Sequence, residues 1–202
     1  MKLWKNNSYE IVRLFIYQIG ITIFSFALLV TTGFMENSST KATLVLLFSI
    51  FSTGFYLALL YVAGWEYGSK DKVKIDAGRL EKIPAKGALM SLYANLPNLF
   101  FIFTGAALMG IYFAAGVEWC KSVYGIFTML HRFISVMFIG IVQAIFSFLP
   151  DGSEMTEFIE GIGYIILPIL AVGTTQLGYS LGSRDIRIMD VIKGQSDSKG
   201  KK

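Results

Sequence analysis

The residues able to do chemistry are few, and they gather in a repeated octapeptide. Gly64-Trp65-Glu66-Tyr67-Gly68-Ser69-Lys70-Asp71 is echoed by Gly178-Tyr179-Ser180-Leu181-Gly182-Ser183-Arg184-Asp185, and both read G-[W/Y]-x-x-G-S-[K/R]-D. Two readings fit this pattern. In one, Glu66, Lys70, Asp71, Arg184 and Asp185 form a paired polar binding site at a pseudo-twofold axis, suited to a headgroup, an ion or a partner protein. In the other the motif is a helix exit. Glycines four apart let a second backbone approach, the aromatic residue anchors at the interface, and Gly-Ser ends the helix. The cation then meets the carbonyl dipoles and anionic headgroups.

Other chemistry has little raw material. His131 is the only histidine and Cys120 the only cysteine. A multi-histidine metal site, a thiolate cluster, an intrachain disulfide and a nucleophilic triad are therefore not indicated. His131 reads as solvated or interfacial, and Cys120 as an incidental thiol near a span end. Gly68-Ser69-Lys70 lacks the leading glycine spacing of a phosphate-binding loop. Asp151, Glu154, Glu157 and Glu160 read as a solvated acidic run, with a divalent cation as the alternative. No cofactor is implied, and an enzymatic role is not expected.

The elements that must carry these residues are membrane helices. Of 202 residues, 54% are hydrophobic and only 16% charged, with a mean hydropathy of +0.58, a balance foreign to a water-soluble domain of this size. A rise of ~1.5 Å per residue lets about 20 apolar residues cover a ~30 Å hydrocarbon core. Four runs qualify: Leu14 to Phe34, Ala42 to Gly64, Leu99 to Val117, and Ile162 to Leu181. The first lacks a signal-peptidase exit and is expected to stay attached. Pro97 sets off Lys86 to Asn95 as a short entry helix, and Pro168 introduces a kink into the last run. Trp4, Trp65 and Trp119 fall at span ends, where indoles prefer the headgroup region.

Val123 to Leu149 is ambiguous by length, because its clean part, Phe133 to Leu149, covers only about 25 Å. Charge adds a constraint. All the lysines and arginines except Lys41, Lys121 and Arg132 lie in the N-terminus, the 66–87 loop or the tail from Arg184. The positive-inside rule places those three segments in the cytoplasm. That requires an even number of crossings between the loop and the tail, so Val123 to Leu149 is expected to enter and return as a re-entrant or interfacial hairpin. A five-span arrangement with the tail outside stays open. The expected protein is an all-α polytopic membrane bundle of four spans plus this segment. It forms one unit over 1–186, followed over 187–202 by an amphipathic turn and a disordered basic tail.

Each span carries a small or weakly polar stripe: Gln18, Thr22, Ser25 and Thr32; Ser49, Ser52, Thr53 and Tyr56; Ala106, Gly110 and Ala114; Ala171, Thr175, Gly178 and Gly182. Such faces pack membrane helices together. The alternative is a solute path along Gln18, Thr22, Ser52 and Gln176.

The chain resembles a class of small bacterial polytopic membrane proteins. The likeness is carried by the Trp65 to Asp71 exit, the Lys86-Gly87 entry, the Asn95-Leu96-Pro97 break and the closing Leu177 to Asp185 segment. It implies the multi-pass layout and brings no activity. Three functions remain in play. The first is a non-enzymatic membrane component acting by helix contact with itself or with a larger transport or envelope complex. The second is a small permeation protein with a pore between protomers. The third, a lipid-modifying enzyme, has no residue set that specifies a reaction. Anticipated partners are the bilayer, anionic headgroups at the inner face, and a second copy or another membrane protein. Nucleic acid is not among them, since membrane orientation accounts for the excess cations.

Overall fold

The computed structural model describes residues 7–81, 83, 85–150 and 152–186. Trp4, the amphipathic turn from 187 and the basic tail lie outside these described residues. Within them the chain is helical, without strands. Its elements are α1 (Ser8–Thr32), α2 (Ser38–Asp76), α3 (Lys86–Ala94), α4 (Leu96–Ala115), α5 (Glu118–Ile134), a 3-10 turn (Val136–Phe138), α6 (Ile139–Phe146), α7 (Glu154–Gly163) and α8 (Ile166–Gly182). α1, α2, α4 and the run from α7 into α8 are long and apolar enough to cross a membrane, while α5 and the segment 136–146 form a pair bent by 78°. The fold is thus an all-α polytopic membrane bundle of four candidate spans and one bent helical pair.

Local chemistry sets the boundaries. The Asn37 side chain caps α2 by accepting from the backbone N–H groups of Ser39 and Thr40. Pro97 sits in the first turn of α4, where its missing N–H costs nothing, and Gly116 ends that helix at φ 66°. The break between α7 and α8 precedes Pro168, which cannot donate to the Tyr164 carbonyl. Leu167 N–H takes that acceptor instead, at 3.2 Å, in a tighter turn.

α1 and α2 run antiparallel, as the pairings of Arg13 with Glu66 and of Phe24 with Phe51 show. α2 and α8 run parallel and touch backbone to backbone through the repeated motif. A methyl group built on Gly64 would collide with the carbonyl oxygen of Thr175, and one on Gly178 with that of Tyr61. In the same way Gly68 faces the Tyr179 carbonyl and Gly182 that of Trp65. Each glycine meets the residue three before its counterpart, so the two helices are related by a local twofold along their length. This is small-residue packing of the GxxxG kind.

The two copies end differently from the expectation. α2 does not stop at Gly68-Ser69 but runs to Asp76, where Gly78 at φ 68° closes it. Gly78 N–H bonds to Ile75 O and Arg79 N–H to Lys74 O. A glycine inside a helix costs only about 1 kcal/mol, and Gly68 serves a contact instead of a turn. At 39 residues α2 is about 58 Å long, nearly twice a hydrocarbon core. The second copy does end at its motif. Asp185 at φ 59° supplies the left-handed residue, and Ile186 N–H returns to Leu181 O.

The bent pair begins and ends beside the same turn of α7. Lys121 near its start pairs with Glu154, and the Pro150 carbonyl just past its end accepts from Thr156 Oγ1. Between these points α5 descends antiparallel to α4, and α6 climbs back along α2, with Gly140 against the Val45 carbonyl. The segment is therefore a bent helical hairpin with its tip inside the bundle. Beside it lies the core of Tyr56, Leu60, Met90, Met137, Phe138, Val142, Tyr164 and Leu167.

Three of the four stripes face inward as expected. The third does not: Gly110 and Ala114 are exposed, and α4 buries Asn98, Ile102, Gly105 and Met109. Those residues recur at three to four positions just as the small ones do, so spacing alone does not choose between the two faces. Asn98 chooses, because its amide has to meet the hairpin.

Candidate functional site

A hairpin that turns back inside a membrane bundle exposes broken backbone at a depth without water, so protein groups must serve it. Three spans do so. Thr22 Oγ1 of α1 donates to the Ile134 carbonyl at 2.6 Å, and Thr53 Oγ1 of α2 donates to the Met137 carbonyl at 3.0 Å. Ser49 Oγ accepts from the Gly140 N–H at 2.9 Å. From α4, Asn98 Nδ2 donates to Ser135 Oγ at 3.1 Å, and Ser135 Oγ lies 3.3 Å from Asn98 Oδ1. Thr22, Ser49, Thr53, Asn98 and Ser135 are all buried. Two neighbours, Gln18 Nε2 and Ser52 Oγ, are buried without a hydrogen-bond partner. Of the suggested solute path, Thr22 is thus committed to the fold. Gln176 is too, since its Oε1 accepts the Ala88 N–H at 2.9 Å and holds the start of α3.

A second polar region lies where α2 and α8 leave the apolar layer. Asp71 is 4% exposed and Lys86 7%, and they form an ion pair at 2.6 Å. Tyr179 OH donates to the same Asp71 oxygen at 2.9 Å. The neighbouring Gly87 lets α3 sit on α8, since a methyl group there would lie 2.6 Å from Tyr179 Cβ. Burial removes water's competition, so the pair is costly to leave half-made.

One turn away Glu66 binds both Arg13, at 3.0 Å, and Lys70, at 2.6 Å. Arg13 Nε donates to Tyr17 OH at 2.6 Å, and its guanidinium lies over the Tyr17 and Tyr67 rings. Lys72 approaches Asp185 at 3.8 Å on the surface. Arg184 is exposed and enters no ion pair among the described residues.

Of the five residues singled out from the sequence, four are therefore divided among three contacts, Glu66 with Lys70 and Arg13, Asp71 with Lys86 and Tyr179, and Asp185 with Lys72, while Arg184 joins none of them. The backbone twofold does not extend to the charges. Asp71 is buried under α3, whereas its counterpart Asp185 stands at an open helix end, because α3 covers one side of the helix pair only. Lys86, Tyr179 and Arg13 are the partners that spacing did not reveal.

His131 is not solvated. It is 2% exposed, with its ring edge-on to Tyr164 at 5.2 Å. Amphipathic α5 turns Tyr124, Thr128 and His131 inward and leaves Met129 and Phe133 outside. Of the acidic run, Glu154 pairs with Lys121, and Glu160 reaches Arg132 at 3.4 Å. Asp151 lies outside the described residues. Among the described residues no three histidine, cysteine or acidic side chains converge as a metal site.

The fold and these contacts define a class: a multi-pass helical membrane protein with an internal parallel helix pair and a bent helical hairpin. Comparison with known proteins gives no matching family model, no matching curated protein and no matching solved structure.

Proposed function

We propose that the chain is a non-enzymatic integral membrane component that works by lateral helix contact, with a second copy of itself or with a larger membrane transport or envelope complex. One observation carries this reading: the small-residue face of α4, with Gly110 and Ala114, is left free on the outside of the bundle. The glycines of the repeated motif are consumed inside the molecule, and the Thr22, Ser49 and Thr53 hydroxyls are used at the hairpin. The α4 face is what remains for close approach of another helix. The basic ends of α2 and α8 favour the cytoplasmic side of a cell membrane, next to anionic headgroups. The test is crosslinking in native membranes of Gly110→Cys in a Cys120→Ala background. A disulfide-linked dimer or a discrete heavier adduct supports the reading; monomer alone removes it.

The hairpin also supports a second reading, a small permeation protein, because Gln18 and Ser52 keep unsatisfied polar atoms beside its tip. Liposomes carrying the purified protein would then pass a small solute, with the flux changed by Gln18→Leu. Liposomes that stay tight to a broad solute panel reject this second reading.

A further inference from the structure

Along the outer face of α5 a groove of about 620 Å³ runs between that helix and α1. Its walls and floor are apolar, formed by Phe26, Phe133, Val136 and Ile139. From Lys121 at the mouth to Phe133 near the hairpin tip it follows about 18 Å of helix, close to the depth of one leaflet. The volume lies in the range of small-molecule sites, ~300–1,000 Å³.

The groove carries both signs of charge: Lys121, Glu154 and Glu157 stand toward its mouth, and Arg132 follows further along α5, next to Phe133. Lys121 is tied to Glu154, but Arg132 holds Glu160 only at 3.4 Å and keeps its buried Nε without a partner. Glu157 enters no ion pair among the described residues, and its backbone carbonyl accepts from Tyr124 OH. An unsatisfied guanidinium donor and a free carboxylate thus both line the apolar groove. A purely anionic headgroup would satisfy Arg132 but leave the Glu157 carboxylate without a partner.

We infer that this groove binds one phospholipid of the ethanolamine class, with an acyl chain against Phe26, Phe133, Val136 and Ile139, the phosphate on Arg132 and the ammonium on Glu157. The ammonium brings N–H donors for the carboxylate, which a choline headgroup lacks. This inference does not depend on the lateral-contact reading, since α4 presents its free face elsewhere.

The full-length protein in mild detergent is titrated with phosphatidylethanolamine, phosphatidylcholine or phosphatidylglycerol of identical chains, and bound copies are counted by native mass spectrometry. One phosphatidylethanolamine binds at a concentration about tenfold below the other two. Arg132→Gln with Glu157→Gln erases that preference. Gly125→Leu plugs the groove and abolishes the single bound copy; a new Cβ at this position meets no atom within 4 Å. Gly173→Leu, equally open but away from the groove, leaves binding intact. Equal binding of all three lipids, a preference for phosphatidylglycerol, or a bound copy that survives Gly125→Leu overturns the assignment.

Discussion

Gly68 meets the carbonyl oxygen of Tyr179 so closely that a methyl group in place of its hydrogen would collide with it, and Gly182 stands in the same relation to Trp65. The contact joins two helices 114 residues apart in the motif register and sets them parallel. In lipid, where apolar surface gives helices no reason to associate, the association comes from this close packing.

Enlarging either glycine should therefore separate the pair. Gly68→Ala or Gly182→Ala is expected to destabilise the protein by about 1–3 kcal/mol. Gly54→Ala, where a new Cβ meets nothing within 4 Å, should be neutral or slightly stabilising. Thermal unfolding in detergent separates the two outcomes.

The buried ion pair yields a sharper contrast. Lys86→Met leaves the Asp71 carboxyl group beneath α3 with only the Tyr179 hydroxyl, and is expected to cost about 3–5 kcal/mol. The double variant Lys86→Met with Asp71→Leu should recover most of that loss. A double-mutant cycle on unfolding free energy measures the coupling, and additive losses would show the pair to be uncoupled.

At the hairpin tip, Thr53→Val keeps the shape but leaves the Met137 carbonyl without its donor. The expected cost is about 1–3 kcal/mol, expressed locally. Amide hydrogen exchange should rise over 135–140 while the α2–α8 contact around Gly64 stays protected. Uniform exchange across both regions would mean that the hydroxyl does not hold the tip.

The spans and the parallel exits are legible in the sequence because apolar length and lysine placement report directly on membrane crossing. The inward faces of α1, α2 and α8 are legible for a related reason, since Thr22, Thr53 and Thr175 stand out against lipid-facing Ile and Phe. The use of those hydroxyls is not, because Thr22 serves a carbonyl 112 residues away. Asn98 is masked by Pro97, which reads as a helix start whatever follows it. Lys86 counts as one more loop cation until Gly87 brings α3 onto α8 and buries it. Gly68-Ser69 resembles a helix stop, yet a glycine flush against a neighbouring backbone and a glycine ending a helix look alike in one dimension.

Most of the architecture depends on the hairpin returning to the side it entered, which leaves both glycine exits on one face. In a Cys120→Ala background, single cysteines at Ser38, Ser122, Ser147, Ala77 and Arg184 place exposed thiols around the bundle. An impermeant maleimide applied to intact and to opened cells sorts them by side. Ser38→Cys, Ser122→Cys and Ser147→Cys should label together from one side, and Ala77→Cys with Arg184→Cys from the other. Labelling of Ser122→Cys and Ser147→Cys from opposite sides would contradict the fold described here.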